Sequence, residues 1–238
     1  MNKTKIDSCD LTCNPITGCL RGCSYCYAKR IYSRFHWSFK PAFHPERLAE
    51  LSSLGPPTEK NNKTRKPWIV KAFPNNWLIF SCSVSDFFAP WTKVEWRDAV
   101  LESIQNCQTK HIFQFLTKNP ENVADSILET SYPDNVWIGT TVTNSEETYR
   151  LQYLKYFNCG VRFVFFEPLL SLIDISDYVQ WIDWIVIGKL TGSKRVTLNP
   201  YWVTHLLNQA LINRIPVIVK KNVEWPEKIQ NFPITRRY

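Results

Sequence analysis

HIFQFLTKNPENVADSIL, residues 111–128, joins two patterns that together decide the fold. HIFQFL (111–116) is a short apolar and aromatic run, the composition of a buried strand. After three intervening residues Pro120 opens PENVADSIL (120–128), and proline suits the first turn of a helix. The pairing recurs outward in both directions. WLIFSC (77–82) precedes KVEWRDAVLESIQNC (93–107), where Val94, Ala99, Val100, Ile104 and Cys107 make a helical face. NVWIGTTV (135–142) precedes SEETYRLQYLKYF (145–157), a helix expected to carry a serine cap and acids in its first turn. VRFVFF (161–166), DWIVIG (183–188) and PVIVKK (216–221) read as further strands. PYWVTHLLNQALIN (200–213) reads as a helix with Asn199 as its N-cap. With a first strand near Leu11 to Ile16 there are six or seven strand–helix units. Strand then helix, repeated, implies parallel strands joined by crossover helices. The expected fold is α/β, a partial or near-complete (β/α) barrel of parallel strands, with an open doubly wound sheet as the alternative. In both, ligands meet the C-terminal ends of strands, so the polar residues just after each strand are the candidates.

The chain has 238 residues, long enough to bury a core without disulfide staples, and is read as a single domain over 1–238. One segment interrupts it. SLGPPTEKNNKTRKP (53–67) has three prolines, a glycine and five charges, four of them positive, and reads as an exposed basic insertion loop. The start of the chain is polar with no apolar signal region, and no apolar run reaches the ~18 residues of a membrane span. A cytoplasmic protein with reduced thiols is expected, in which clustered cysteines mean metal or catalysis more often than disulfides. The net charge of +8 fits an anionic partner, nucleic acid foremost, or simply a solvated basic surface. Aromatics at 14%, including ten tryptophans, are abundant enough to fill the core and leave rings for stacking on a ligand.

Five of the eight cysteines fall in the opening stretch, and three of these lie in GCLRGCSYCYAKR (18–30) with the spacing Cys19-x3-Cys23-x2-Cys26. The motif sits between a strand and a helix, and Gly18 and Gly22 give the loop backbone freedom. Three thiolates can hold three irons of a four-iron, four-sulfur cluster and leave the fourth iron open for a ligand. A zinc site, which wants four ligands, and incidental core cysteines are the alternatives. Cys9 and Cys13 are available for a further role. Cys82, Cys107 and Cys159 are scattered and read as small apolar packing residues.

This spacing, with an aromatic (Tyr25) directly before the third cysteine, resembles the signature of the radical S-adenosylmethionine superfamily. The likeness extends to a phage- and prokaryote-associated family of that superfamily, classed as a domain of unknown function. It is carried by CNPITGC (13–19), HPERLAEL (44–51), SCSVSDFF (81–88), FQFLTKNPENV (113–123), NVWIGTTV, VRFVFFEPLL (161–170), DWIVIGKLTG (183–192) and PVIVKK, in the expected order across nearly the whole chain. One departure is GKLTG, where relatives have an acid and this chain has Lys189 nearby.

The resemblance implies a radical-SAM-type barrel, a [4Fe-4S] cluster on Cys19, Cys23 and Cys26, and S-adenosyl-L-methionine as cofactor, with an external electron donor. It implies that Ser83, Ser85 and Asp86, after the second barrel strand, accept from the ammonium of the methionine moiety. Tyr25 belongs to the cofactor site, and Tyr27 packs against the cluster. Lys118 is expected to pair with a carboxylate, of the cofactor or of the protein. Thr141 and Asn144 are expected at ribose hydroxyls. Glu167 needs a partner if buried, and Arg162, on the opposite face of its strand, is not that partner. A Thr-Lys after the third strand and a Ser-x-x-Asp-like block after the second are similar to those of spore photoproduct lyase, which acts on DNA.

Three functions are therefore open. The first is a radical enzyme that modifies or repairs nucleic acid, using Lys29, Arg30, Arg34, the 60–66 cluster, Lys189, Lys194 and Arg195 for phosphate contact. The second is a radical enzyme acting on a peptide, protein or small molecule, with or without a partner protein. The third is a non-catalytic nucleic-acid-binding protein with a structural cluster or zinc.

Overall fold

The computed structural model describes residues 1–127, 132–192 and 197–233. Leu128 of the expected helix, and Lys194 and Arg195, lie outside the described residues. The chain forms two compact units, Met1–Thr117 and Lys118–Tyr238.

In the first unit Asn2–Lys3 (β1) pairs antiparallel with Leu11–Cys13 (β2). Ile16–Thr17 (β3) leads into the cysteine loop and helix Tyr27–Arg34 (α1), and Ala42–Phe43 (β4) returns antiparallel to β3. A 3-10 turn at Pro45–Arg47 runs into Leu48–Ser52 (α2), followed by Glu59–Asn62 (α3) and Pro67–Ala72 (α4). Leu78–Ser81 (β5), Val94–Gln105 (α5) and Ile112–Thr117 (β6) complete the unit, with β2, β5 and β6 parallel.

The second unit contains Pro120–Ile127 (α6), Val136–Thr141 (β7), Val161–Phe166 (β8), Trp184–Ile187 (β9), Pro200–Ile212 (α7) and Val217–Val219 (β10). Its four strands are parallel and lie in sequence order. The fold is thus mixed α/β, and its eight sheet strands are mostly parallel. Every residue of β5, β7 and β9 is buried, as strands covered on both faces require. In the second unit Trp184 is packed by Trp137, Phe163, Phe165 and Phe232, with ring centroids 5.3–6.4 Å apart.

Two expectations need correction. Ser145–Tyr156 is helical as expected, in the 3-10 form, but its cap is Asn144 and not the expected serine, the Asn144 side chain accepting the Glu147 N–H at 3.2 Å. The buried apolar residues there are Leu151, Leu154 and Phe157, a spacing of three that suits three residues per turn. The 53–67 segment is also not a bare basic loop. Thr58 and Asn61 cap α3 reciprocally. Arg65 is buried and bridges Asp10 at 2.8 Å, and Lys66 donates to the carbonyls of Thr4 and Cys9. Two of the four cations of that segment therefore hold the first unit together rather than facing solvent.

Candidate functional site

The cysteine loop lies beside the C-terminal ends of β2 and β5, and it is stitched to the SVSDFF block that follows β5. Gly18 N–H donates to Val84 O at 3.1 Å, and Gly18 forms a parallel bridge with Ser85. Ser85 Oγ donates to Ile16 O at 3.0 Å. Asn14 Oδ1 accepts from Ser83 Oγ at 3.0 Å and from Val84 N at 3.3 Å. Tyr27 Oη, from the first turn of α1, donates to Ser83 O at 2.6 Å. Gly18 has φ +80°, and a Cβ there would collide with the carbonyl of Lys40, so only glycine fits.

Cys19, Cys23 and Cys26 are free and half-buried. Cys26 caps α1, its Sγ accepting the Lys29 N–H at 3.3 Å, so this sulfur sits at the positive end of the helix dipole. Burial pushes the Cys19 thiol above its ordinary value, and the charges of Asp86, Cys23 and Cys26 push the same way, against a bond from the Arg21 backbone. The four groups therefore share one electrostatic environment. Three free thiols on one loop are the donor set an iron–sulfur cluster takes. Among the described residues no three His, Cys, Asp or Glu side chains lie close enough together to form a metal-holding group. Gly22 has φ +73°, and a Cβ built there would come no nearer than 4.0 Å to Leu20 O, so glycine is favoured at this position by the backbone conformation and not by crowding.

Asp86 is buried after β5. Its Oδ1 accepts from Thr117 Oγ1 at 2.6 Å and from Phe88 N at 3.2 Å. It thus makes an Asx turn, and its charge acts on the Cys19 thiol. Tyr25 is half-buried in the loop between Cys23 and Cys26. Cys9 and Cys13 are buried, Cys13 on β2, and burial pushes the Cys13 thiol up to about 11 and Cys82 to about 12. Cys9, Cys13 and Cys82 pack in the core of the unit.

The second unit gathers its own polar groups at strand ends. Lys118 Nζ donates to Thr141 Oγ1 at 3.3 Å, at the end of β7. Glu147 accepts from Thr143 N and Oγ1 at 2.8 Å and pairs with the buried Arg150 at 2.9 Å. Glu167, after β8, meets Lys220, after β10, at 2.6 and 2.7 Å. Gly188, after β9, lets them lie close, since a Cβ there would come within 2.8 Å of the Glu167 side chain. Arg162 instead grips Asp183 through two bonds of 2.9 Å. Lys189, in the departing GKLTG stretch, exchanges backbone hydrogen bonds with the Asn222 side chain at 3.3 and 2.8 Å.

Sequence reasoning missed Asn14 as the joint of the first site, Thr117 as partner of Asp86, and Lys220 as partner of Glu167. Asn14 stood in the quoted CNPITGC block and Lys220 in PVIVKK, but nothing along the chain marks their distant partners.

The profile of a family described as "Protein of unknown function (DUF5131)" matches residues 3–234, so the chain belongs to that family. No curated protein and no solved structure matches it.

Proposed function

We propose that this member of the family is a radical S-adenosylmethionine enzyme, that Cys19, Cys23 and Cys26 hold a [4Fe-4S] cluster, and that the substrate is a nucleic acid. Held by Cys19, Cys23 and Cys26 and reduced by an external electron donor, such a cluster would supply the electron that splits S-adenosylmethionine into methionine and a 5′-deoxyadenosyl radical. The observation that carries the reading is the joining of the three-cysteine loop to the Asp86 block, through bonds that span up to 70 residues of chain, at the C-terminal ends of parallel strands. The parallel strand–helix alternation of both units supports the partial (β/α) barrel of that superfamily.

The chain's own residues divide the work. Asn14 and Tyr27 hold the SVSD turn against the cysteine loop, and Thr117 orients the Asp86 carboxylate. Asp86, buried after β5 and close enough to Cys19 for its charge to act on that thiol, is the acceptor for the methionine ammonium. Ser83 and Ser85 already donate to Asn14 Oδ1 and Ile16 O on the segment leading into the cysteine loop, so they position the turn rather than bind. Lys118 and Thr141 form a cation–hydroxyl pair suited to a carboxylate or a ribose hydroxyl. Asn144 caps its helix and Glu167 is neutralised by Lys220, so both act by shaping the strand ends. The net charge of +8 favours a polyanionic substrate. A reducing, cytoplasmic setting belongs to the same reading, and no helix among the described residues is long and apolar enough to cross a membrane.

The test is iron binding. Anaerobic reconstitution of the wild-type chain is expected to give about four irons per chain. Cys23→Ala is expected to lose that iron while keeping its far-UV circular dichroism. Unchanged iron content in the variant would refute the ligand assignment.

A further inference from the structure

We infer that α1 and the turn after it form a binding surface for single-stranded nucleic acid. The inference rests on the proposed nucleic-acid substrate and names where and in what form the polymer is held.

Between Asp10 and Glu46 the sequence has no acidic residue and five basic ones, Arg21, Lys29, Arg30, Arg34 and Lys40. Lys29, Arg30, Arg34 and Lys40 are exposed. Helix α1 buries only Ala28, so little of its surface is used in packing. Large apolar side chains stand out beside these cations: Tyr27, Ile31, Phe35 and Trp37 are 41%, 43%, 53% and 59% exposed. Water-facing rings at this density, on a stretch of chain whose acidic and basic side chains are all basic, match a surface that stacks bases and neutralises phosphates.

The rings are held in place by the backbone. Helix α1 ends with Trp37 N–H donating to Tyr32 O at 2.9 Å and His36 N–H to Ser33 O at 3.1 Å. This is a Schellman termination, and its left-handed position, usually glycine, is His36 at φ +57°. A β-carbon in that region is disfavoured, and such strain concentrates at functional turns. The tight reversal lays Phe35 and Trp37 together, stacked with centroids 5.0 Å apart and planes at 23°. Trp37 is also braced edge-on by Tyr32 at 5.7 Å, and Arg34 lies 5.9 Å from the Phe35 ring. Two exposed rings are thus pre-set in a nearly common plane direction beside a row of cations. Bases inside a duplex are stacked on each other and unavailable to such rings, so the fitting polymer is single-stranded.

The experiment uses the full chain as purified and fluorescein-labelled 20-mers: single-stranded DNA, single-stranded RNA of the same sequence, and the DNA duplex. Fluorescence anisotropy is measured from low to high salt. A single strand is expected to bind more tightly than the duplex, and the DNA and RNA arms identify the polymer. Trp37→Ala and Phe35→Ala are each expected to weaken binding about tenfold or more at unchanged melting temperature. Arg34→Glu is expected to flatten the salt dependence by about 0.7 of a log unit per lost phosphate contact. The inference is overturned by duplex binding as tight as single-strand binding, or by ring variants without effect. It is equally overturned by no binding at low salt, which would assign the surface to a protein partner. No step needs cleavage of S-adenosylmethionine, so failure here leaves the radical reading standing, and failure of that cleavage leaves this binding intact.

Discussion

Arg65 gives the sharpest structural prediction, because its place in a basic stretch hides its role. Its guanidinium and the Asp10 carboxylate are each 3% exposed and 2.8 Å apart. The same head donates to Asn62 Oδ1 at 2.7 Å, to Phe73 O at 3.1 Å and to Asn76 O at 2.8 Å, and lies 4.9 Å from the Trp77 ring. Arg65→Met keeps the apolar stem but strips the buried Asp10 carboxylate of its counter-charge, leaving it the Leu78 N–H at 3.2 Å. Breaking a buried pair from one side costs about 3–5 kcal/mol. With a urea slope of about 1–3 kcal/mol/M, the midpoint of unfolding of the first unit should fall by at least about 1 M. The assay is urea denaturation followed by tryptophan fluorescence. The double variant Arg65→Met/Asp10→Asn should lose less than the sum of the two singles, since no charge is then stranded. A midpoint within about 0.3 M of wild type for Arg65→Met would refute the argument and return Arg65 to the surface.

Further outcomes follow from other sites. Burial holds His111 below its ordinary 6.5, a nearby Arg65 charge acts the same way, and bonds to the Leu54 and Gly55 backbone oppose them. The unfolded chain therefore takes up a proton first, so stability is full above about pH 6.5 and falls as pH drops through it towards the folded value. Thermal melts from pH 8 to 5 should show this slope, and His111→Gln should lose it. Gly18→Ala, which forces a Cβ onto the Lys40 carbonyl at φ +80°, should displace the cysteine loop and sharply lower iron uptake on reconstitution. Lys220→Met strands Glu167 and should cost about 1.5–3 kcal/mol of stability, largely recovered in the double variant with Glu167→Gln.

Particular residues show why some of this was legible in the sequence and some was not. VRFVFF and WLIFSC announced strands because parallel strands covered on both faces are nearly continuous apolar runs. Asn199 announced a helix start because a cap acts over two or three residues, and its Oδ1 does accept the Tyr201 N–H. The helix at 145–156 was legible but its 3-10 form was not, because acids in the first turn suit an α-helix equally. Only the three-residue spacing of Leu151, Leu154 and Phe157 distinguished it. Arg65–Asp10, Thr117–Asp86 and Lys220–Glu167 join positions 31 to 55 residues apart, and no local pattern encodes such pairs. The three cysteines were visible because their spacing is local. Their junction with the SVSD turn through Asn14 and Tyr27 is tertiary and needed the structure.

The measurement that tests the central claim most directly is anaerobic. The reconstituted, dithionite-reduced chain is mixed with S-adenosylmethionine, and 5′-deoxyadenosine is quantified with and without added single-stranded DNA or RNA. The account requires 5′-deoxyadenosine from the wild type, more of it with one polymer, and none from Cys23→Ala. A confirmed, reducible cluster that forms no 5′-deoxyadenosine under any of these conditions would contradict it.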